Sequence, residues 1–271
     1  MRIVATADLH YHQRWSEALR HLVADVRREE PDCLIVAGDA GHPLSRFEQG
    51  LALFSALKCR KVALAGNHDV WSGEQSSQVL WDHLLEEAAH RAGFAWLDRE
   101  NVRLGSLGIC GTIGWYDYSA RDPDLVLQAR DYYINKGMFN NDGNYVDWEQ
   151  TDPGFAASVL TAFARRLDAL CQDERVTQVL VATHIPPFAE NLVRKPEDVA
   201  WNIRNAYTGN LTLGRRIVRC PKVTHVVSGH THRGGRWQIE TPHGMVESHV
   251  VGSDYGRPGY VVIDLPWITP V

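Results

Sequence analysis

No stretch of the chain approaches the ~18 consecutive apolar residues of a membrane helix, so a helical span is excluded and no membrane partner is expected. Positive charge is not in excess: 28 Lys and Arg stand against 33 Asp and Glu, a formal net charge of −5. Proteins that hold nucleic acid non-specifically ordinarily carry a basic face. Charge therefore disfavours a nucleic-acid partner, without excluding a local basic groove. Cysteine is sparse, and Cys33, Cys59, Cys110, Cys171 and Cys220 form no CxxC pair; they read as reduced thiols packed as small hydrophobes. Met1-Arg2-Ile3-Val4-Ala5 runs straight into Asp8 and His10, without the apolar stretch of ~7–15 residues that a secretory signal needs. The expectation is a cytoplasmic protein.

Apolar material is plentiful. At 44% hydrophobic and 23% charged over 271 residues, the chain is too apolar for disorder and long enough to bury a sizeable core. Apolar runs at 2–7, 33–37 and 61–65 read as buried strands. Between the first two, Leu19, Leu22, Val23 and Val26 recur at helical spacing behind Ser16, the expected N-cap. Further helices are expected over 47–57 and 77–91, the latter closed by Gly93. Residues 102–104 and 109–111 suggest a hairpin, 155–171 a long amphipathic helix, and 178–183 and 224–228 two more buried strands. Shorter strands at 236–240, 245–250 and 260–265 read as antiparallel. Alternation of this kind argues for parallel sheets with helices on their faces. The expected organisation is a single α/β domain over 1–271, with long insertions at 114–153 and 186–209 that cover the active site.

Chemistry-bearing residues follow the strands. The run at 2–7 leads into Asp8-Leu9-His10, the run at 33–37 into Gly38-Asp39, and the run at 61–65 into Gly66-Asn67-His68-Asp69. The fourth strand ends in His184 and the fifth in Gly229-His230-Thr231-His232. In an open α/β sheet the carboxyl ends of strands face one crevice, where ligands bind. Two aspartates, an amide and several imidazoles would converge there. That donor set suits first-row divalent metals, and the absence of thiolates argues against a structural zinc site. Because one ion needs only three or four protein ligands, so many donors point to two ions sharing a carboxylate. A pair about 4 Å apart is suited to in-line displacement at phosphorus, clamping the phosphoryl oxygens and generating hydroxide from a bridging water.

Taken in order, Asp8-x-His10, Gly38-Asp39, Gly66-Asn67-His68-Asp69, His184 and Gly229-His230-x-His232 resemble the calcineurin-like metallophosphoesterase superfamily, with its blocks spanning residues 8 to 232. The resemblance implies a four-layer α/β/β/α sandwich, two mixed β-sheets flanked by helices. It further implies one ion held by Asp8, His10, Asp39 and His232, and another by Asn67, His184, His230 and the shared Asp39, the metals being Mn, Fe or Zn. His68 would assist the leaving group, protonating the alkoxide or stabilising transition-state charge. The implied activity is hydrolysis of a small-molecule phosphomonoester or phosphodiester. One departure stands out. Phosphoprotein phosphatases of the superfamily carry a second aspartate three residues after that of the Gly-Asp block, followed by arginine; here His42 and Pro43 occupy those positions. This counts against a protein phosphatase. It leans towards phosphodiesters and nucleases, with His42 a candidate contact for the substrate phosphate.

Two alternatives are carried: a metal-dependent nuclease acting on DNA or RNA, and a catalytically silent interaction module, which the unbroken donor set disfavours. Trp115 and Tyr116, just after a strand end, are expected to line the crevice and contact substrate. Among the basic residues after His184, Arg204 is the candidate to neutralise a substrate phosphate. Asp69 reads as a helix-start or supporting residue.

Overall fold

In the computed structural model, which describes residues 1–195 and 197–266, eleven strands form two sheets among the described residues. In chain order the strands are β1 (Arg2–Thr6), β2 (Cys33–Ala37), β3 (Arg60–Leu64), β4 (Ala95–Trp96), β5 (Val102–Leu104), β6 (Leu107–Thr112), β7 (Gln178–Thr183), β8 (Val223–Ser228), β9 (Gly235–Thr241), β10 (Gly244–Val250) and β11 (Tyr260–Asp264). The helices are α1 (Ser16–Arg28), α2 (Leu44–Ala52), α3 (Ser77–Val79), which runs through a π-turn at Leu80–Leu84 into α4 (Leu85–Arg91), α5 (Ala129–Phe139), α6 (Asp142–Tyr145), α7 (Asp152–Gln172), α8 (Val199–Arg204) and α9 (Leu211–Ile217).

The first sheet has the order β11-β1-β2-β3-β4 and the second β5-β6-β7-β8-β10-β9. Both are parallel at the centre. Antiparallel partners occur only at edges: β11 on β1, β5 on β6 and β9 on β10. β10 pairs antiparallel with β9, as read for residues 236–240 and 245–250, and runs parallel to β8 on its other side.

Side chains alternate along each central strand, and the two periods define the layers. Ile3, Ala5, Cys33, Ile35, Val62 and Leu64 meet Ile109, Leu180, Ala182 and Val227 between the sheets. Val4, Leu34 and Val36 face outward against Leu19, Leu22 and Val26 of α1 and Phe47 and Leu51 of α2. Across the molecule, Val179 and Val181 pack on Phe163, Leu167 and Leu170 of α7 and on Leu213 and Ile217 of α9. Each large apolar side chain buried this way contributes about 1.5–3 kcal/mol relative to exposure. The result is the α/β/β/α sandwich.

Local expectations differ at three places. Ser16 is the first residue of α1 and not its cap; the helix is entered from the 3-10 turn Gln13–Trp15. The second helix lies earlier than residues 47–57, at Leu44–Ala52, because Phe47 and Leu51 turn inward while the chain beyond Leu53 breaks into turns. Cys171 and Cys220, at the end of α7 and just past α9, are joined in a disulfide, while Cys33 and Cys110 are buried thiols and Cys59 is a partly buried one. No described helix is long and apolar enough to cross a membrane.

Candidate active site

Five turns at the carboxyl ends of β1, β2, β3, β7 and β8 carry the chemistry, and their backbones are unusual. Asp8, His10, Asp39, His230 and His232 all have φ between 42° and 69°, the left-handed region that costs an L-residue about 1–2 kcal/mol. Backbone pairing holds them there: Asp8 N–H donates to Gly38 O at 3.0 Å and His10 N–H to Asp39 O at 2.9 Å. The buried Asp69 carboxylate accepts from the N–H groups of Asp39 (2.8 Å), Gly41 (3.0 Å) and Gly66 (2.8 Å), tying the β2 and β3 turns together. Gly66 has to be glycine, because a Cβ there would collide with the Asp39 carboxylate.

The side chains predicted from sequence meet. His232 Nε2 lies 3.2 Å from His10 Nε2 and 3.6 Å from Asp8 Oδ1. His184 Nε2 and His230 Nδ1 lie 2.8 and 2.9 Å from Asn67 Oδ1. Asp39 Oδ2 stands between the two groups, 3.7 Å from His10 Nε2 and 3.5 Å from His184 Nε2. Atoms bound to one ion at 2.0–2.2 Å, at roughly right or tetrahedral angles, are about 3–3.5 Å apart. The observed spacings match.

Hydrogen bonds on the far side of each ring fix which atom faces the cluster. His184 Nδ1–H donates to Ala37 O (2.9 Å), His230 Nε2–H to Tyr207 O (3.0 Å) and His232 Nδ1–H to Asp254 Oδ1 (3.0 Å). The Asn67 Nδ2–H group donates to Asp142 Oδ1 at 2.9 Å. Since these acceptors can only accept, the lone pairs of Asn67 Oδ1, His184 Nε2 and His230 Nδ1 point at one another with no hydrogen between them. Such an arrangement repels unless a cation lies among the three. Carboxylate–histidine partnerships of the Asp254–His232 kind orient metal ligands in the same way.

Electrostatics make the same demand. Asp8 and Asp39 are buried, and within 4 Å of either no Lys or Arg is found among the described residues, only histidines. Burial holds both carboxyls well above the usual carboxylate range. It pulls His10 down to about 2 and His230 to about 4, and drives His184 well below its ordinary value. Neutral imidazoles beside carboxylates without a countercharge form a donor set suited to divalent cations. Asp8, His10 and His232 can hold one ion, and Asp8 or His10 can share Asp39 with His184 or His68.

The sequence profile of calcineurin-like phosphoesterases matches residues 1–234. The chain belongs to the calcineurin-like phosphoesterase family. Among curated proteins, none matches it. The fold is similar to that of a phosphopantetheinyl hydrolase from Mycobacterium tuberculosis, with a TM-score of 0.72 at 18% identity over 96% of this chain and 95% of that one. It is also similar to a dimetal phosphatase from Danio rerio, with a TM-score of 0.55 at 18% identity over 93% and 87% of the two chains.

Beside the phosphoesterase cluster opens a cavity of about 270 Å³, lined by Asn67, His68, His230, Trp71 and Arg204 among others. His68 faces Asp39 Oδ2 at 3.9 Å and stacks on the Trp71 indole at 3.8 Å. Burial lowers its pKa to about 4, against an opposing pull from Asp142. Arg204 lines the same cavity.

Three of the candidate residues lie outside the cluster and its cavity. Trp115 and Tyr116 do not line the crevice: both are fully buried, with Trp115 Nε1–H donating to Asp152 Oδ1 (2.7 Å) and the Tyr116 hydroxyl to Asp142 Oδ2 (2.6 Å). Their polar ends are satisfied inward, and neither lines the cavity. His42 stays outside the cluster. Its ring meets the edge of Trp71 at 5.8 Å and opens on a separate cavity with Pro43 and Leu44.

Sequence reasoning missed the acids that aim the donors. Asp142 accepts from Asn67, from Trp71 Nε1–H (2.6 Å) and from Tyr116. Asp98 accepts from Ala65 N–H (2.8 Å) and Ile113 N–H (2.6 Å), joining the carboxyl ends of β3 and β6 across the two sheets. For Asp142 the available signal was the density of Asp and Asn in residues 114–153.

Proposed function

We propose that the protein is a metal-dependent phosphoesterase that hydrolyses a phosphomonoester or phosphodiester of a small molecule with two divalent ions. The converging lone pairs of Asn67, His184 and His230, unmediated by any hydrogen, carry this reading. Asp8, His10, Asp39 and His232 would hold one ion, and Asn67, His184, His230 and the shared Asp39 the other. When bound, Mn, Fe or Zn supplies Lewis acidity at the phosphoryl oxygens and lowers the pKa of coordinated water.

The chain's own residues do the rest. Asp142 keeps the Asn67 oxygen turned to the cluster. Stacking on Trp71 holds the His68 ring over the reacting centre, where its N–H meets charge developing on the phosphoryl and leaving-group oxygens, an effect typically worth about 10²–10⁴-fold. A cavity of about 270 Å³ lies just below the ~300–1,000 Å³ of small-molecule sites, which supports a compact ester over a nucleic-acid duplex. His42, the residue that leaned towards a nuclease, has no contact with the cluster. The complete donor set argues against a silent module.

The test is turnover of p-nitrophenyl phosphate and bis-p-nitrophenyl phosphate by metal-stripped protein resupplied with Mn²⁺, Fe²⁺ or Zn²⁺. Hydrolysis that returns with metal and disappears with chelator is expected. Inactivity with every ion and both esters would contradict the reading.

A further inference from the structure

The cavity beside the cluster also carries groups whose chemistry the cluster does not use. Arg204, at the end of α8, and Arg233, next to His232, both line it. Neither has a carboxylate within 4 Å among the described residues. Arg233 lies over the Trp201 indole at 4.7 Å, and Lys195 Nζ lies 3.7 Å from the same ring. The indole is fixed, since its Nε1–H donates to Val193 O at 2.6 Å.

Two buried polar groups on the same wall have no partner. Asn191 is only 5% exposed; its Oδ1 accepts from Ser248 Oγ at 3.2 Å, yet its Nδ2 donates to nothing, and Thr231 Oγ1 is also unpartnered. Unmade hydrogen bonds of buried donors cost about 1–3 kcal/mol each, so they mark where a ligand group is missing. The single carboxylate on the cavity wall, Asp142, already accepts from Asn67, Trp71 and Tyr116. Two free guanidinium groups, an orphan amide N–H and an orphan hydroxyl with no free acid form a site for an anion.

We infer that Arg204 and Arg233 bind a second phosphoryl group of the substrate, so that the preferred esters carry two phosphates, one at the metal cluster and one at these arginines. This rests on the phosphoesterase reading for the first phosphate. Arg forks bind phosphate through paired charge-assisted hydrogen bonds. Both arginines are exposed, so the attraction weakens as salt rises.

The experiment compares adenosine 3′,5′-bisphosphate with adenosine 5′-monophosphate, and fructose 1,6-bisphosphate with fructose 6-phosphate, on Mn²⁺-loaded wild type, R204Q and R233Q. The second phosphate should raise kcat/KM about tenfold or more, mostly through KM, with the gain shrinking at higher salt and largely lost in both variants. A gain in the adenosine pair alone assigns a nucleotide; a gain in both pairs assigns the anion itself. No gain in either pair, or a gain that survives both substitutions, overturns the inference. If wild type hydrolyses none of these four monoesters, the monoesterase reading fails while the diesterase one stands, and calorimetry still decides the subsite. Adenosine 3′,5′-bisphosphate should then bind about tenfold tighter than the monophosphate, a preference lost in R204Q, whereas equal affinities overturn it.

Discussion

Asp142 turns Asn67. Its Oδ1 takes the amide N–H at 2.9 Å, which leaves the amide oxygen facing His184 and His230 at 2.8 and 2.9 Å. A residue of the 114–153 segment thus determines which atom of the β3 turn is presented to a cation.

Asp142→Ala should therefore weaken binding of one ion about 10–100-fold, the usual cost of removing a group that orients a ligand, while the site built on Asp8, His10 and His232 keeps its ion. Metal titration monitored by elemental analysis checks this; two ions held with wild-type affinity would exclude the orienting role.

Asp39 faces both groups of donors, so Asp39→Ala should abolish stable binding of both ions and turnover with them. Elemental analysis of the purified variant showing two ions per chain would contradict a shared carboxylate.

His68→Ala should retain two ions and lose about 10²–10⁴-fold in kcat. Burial lowers His68 to about 4, so at neutral pH it acts as a neutral N–H donor. The loss should then be similar for esters with good and poor leaving groups. A loss confined to poor leaving groups would identify it as a proton donor to the alkoxide instead.

Protons released when metal binds should come from carboxyls and not from imidazoles. His10 and His230, at about 2 and about 4, are already neutral there, whereas Asp8 and Asp39 are raised by burial. In the metal-free chain the lowered histidines bind fewer protons folded than unfolded, so their contribution to stability rises with pH up to about 6.5. The raised acids bind more protons folded than unfolded, Asp69 up to about 7, so their contribution falls as pH rises towards and through 7. Metal-free protein should lose Tm above pH 6.5, and Mn²⁺ should reverse the loss. Calorimetry in buffers of different ionisation enthalpy measures the released protons across pH; release that follows an ordinary imidazole near 6.5 would refute the assignment.

Trp115→Phe should lower stability by about 1–3 kcal/mol, because Asp152 loses one of its donors, with kcat/KM unaffected. Raised KM with unchanged stability would return Trp115 to the crevice.

Much of this was legible in the sequence for a physical reason. Each cluster residue follows a buried apolar strand, and the carboxyl ends of such strands share one face, so Asp8, Asp39, Asn67, His184 and His230 are linked by local pattern alone. Asp142 and Asp254 have no such pattern; tertiary packing brings them to Asn67 and His232 from the start of α6 and from the turn before β11. The same packing explains the misreading of Trp115 and Tyr116. Their position after β6 points at the crevice, but Asp152 and Asp142, which arrive later in the chain, draw their polar ends inward. Cys171 and Cys220 are 49 residues apart and meet only because α7 and α9 share one face of the second sheet.

The central claim is a pair of cations bridged by Asp39, and anomalous diffraction from Mn²⁺-loaded crystals tests it most directly. Two peaks about 3.5–4 Å apart, one beside Asp8, His10 and His232 and the other beside Asn67, His184 and His230, are the predicted result. A single peak, or peaks away from Asp39, would contradict the account.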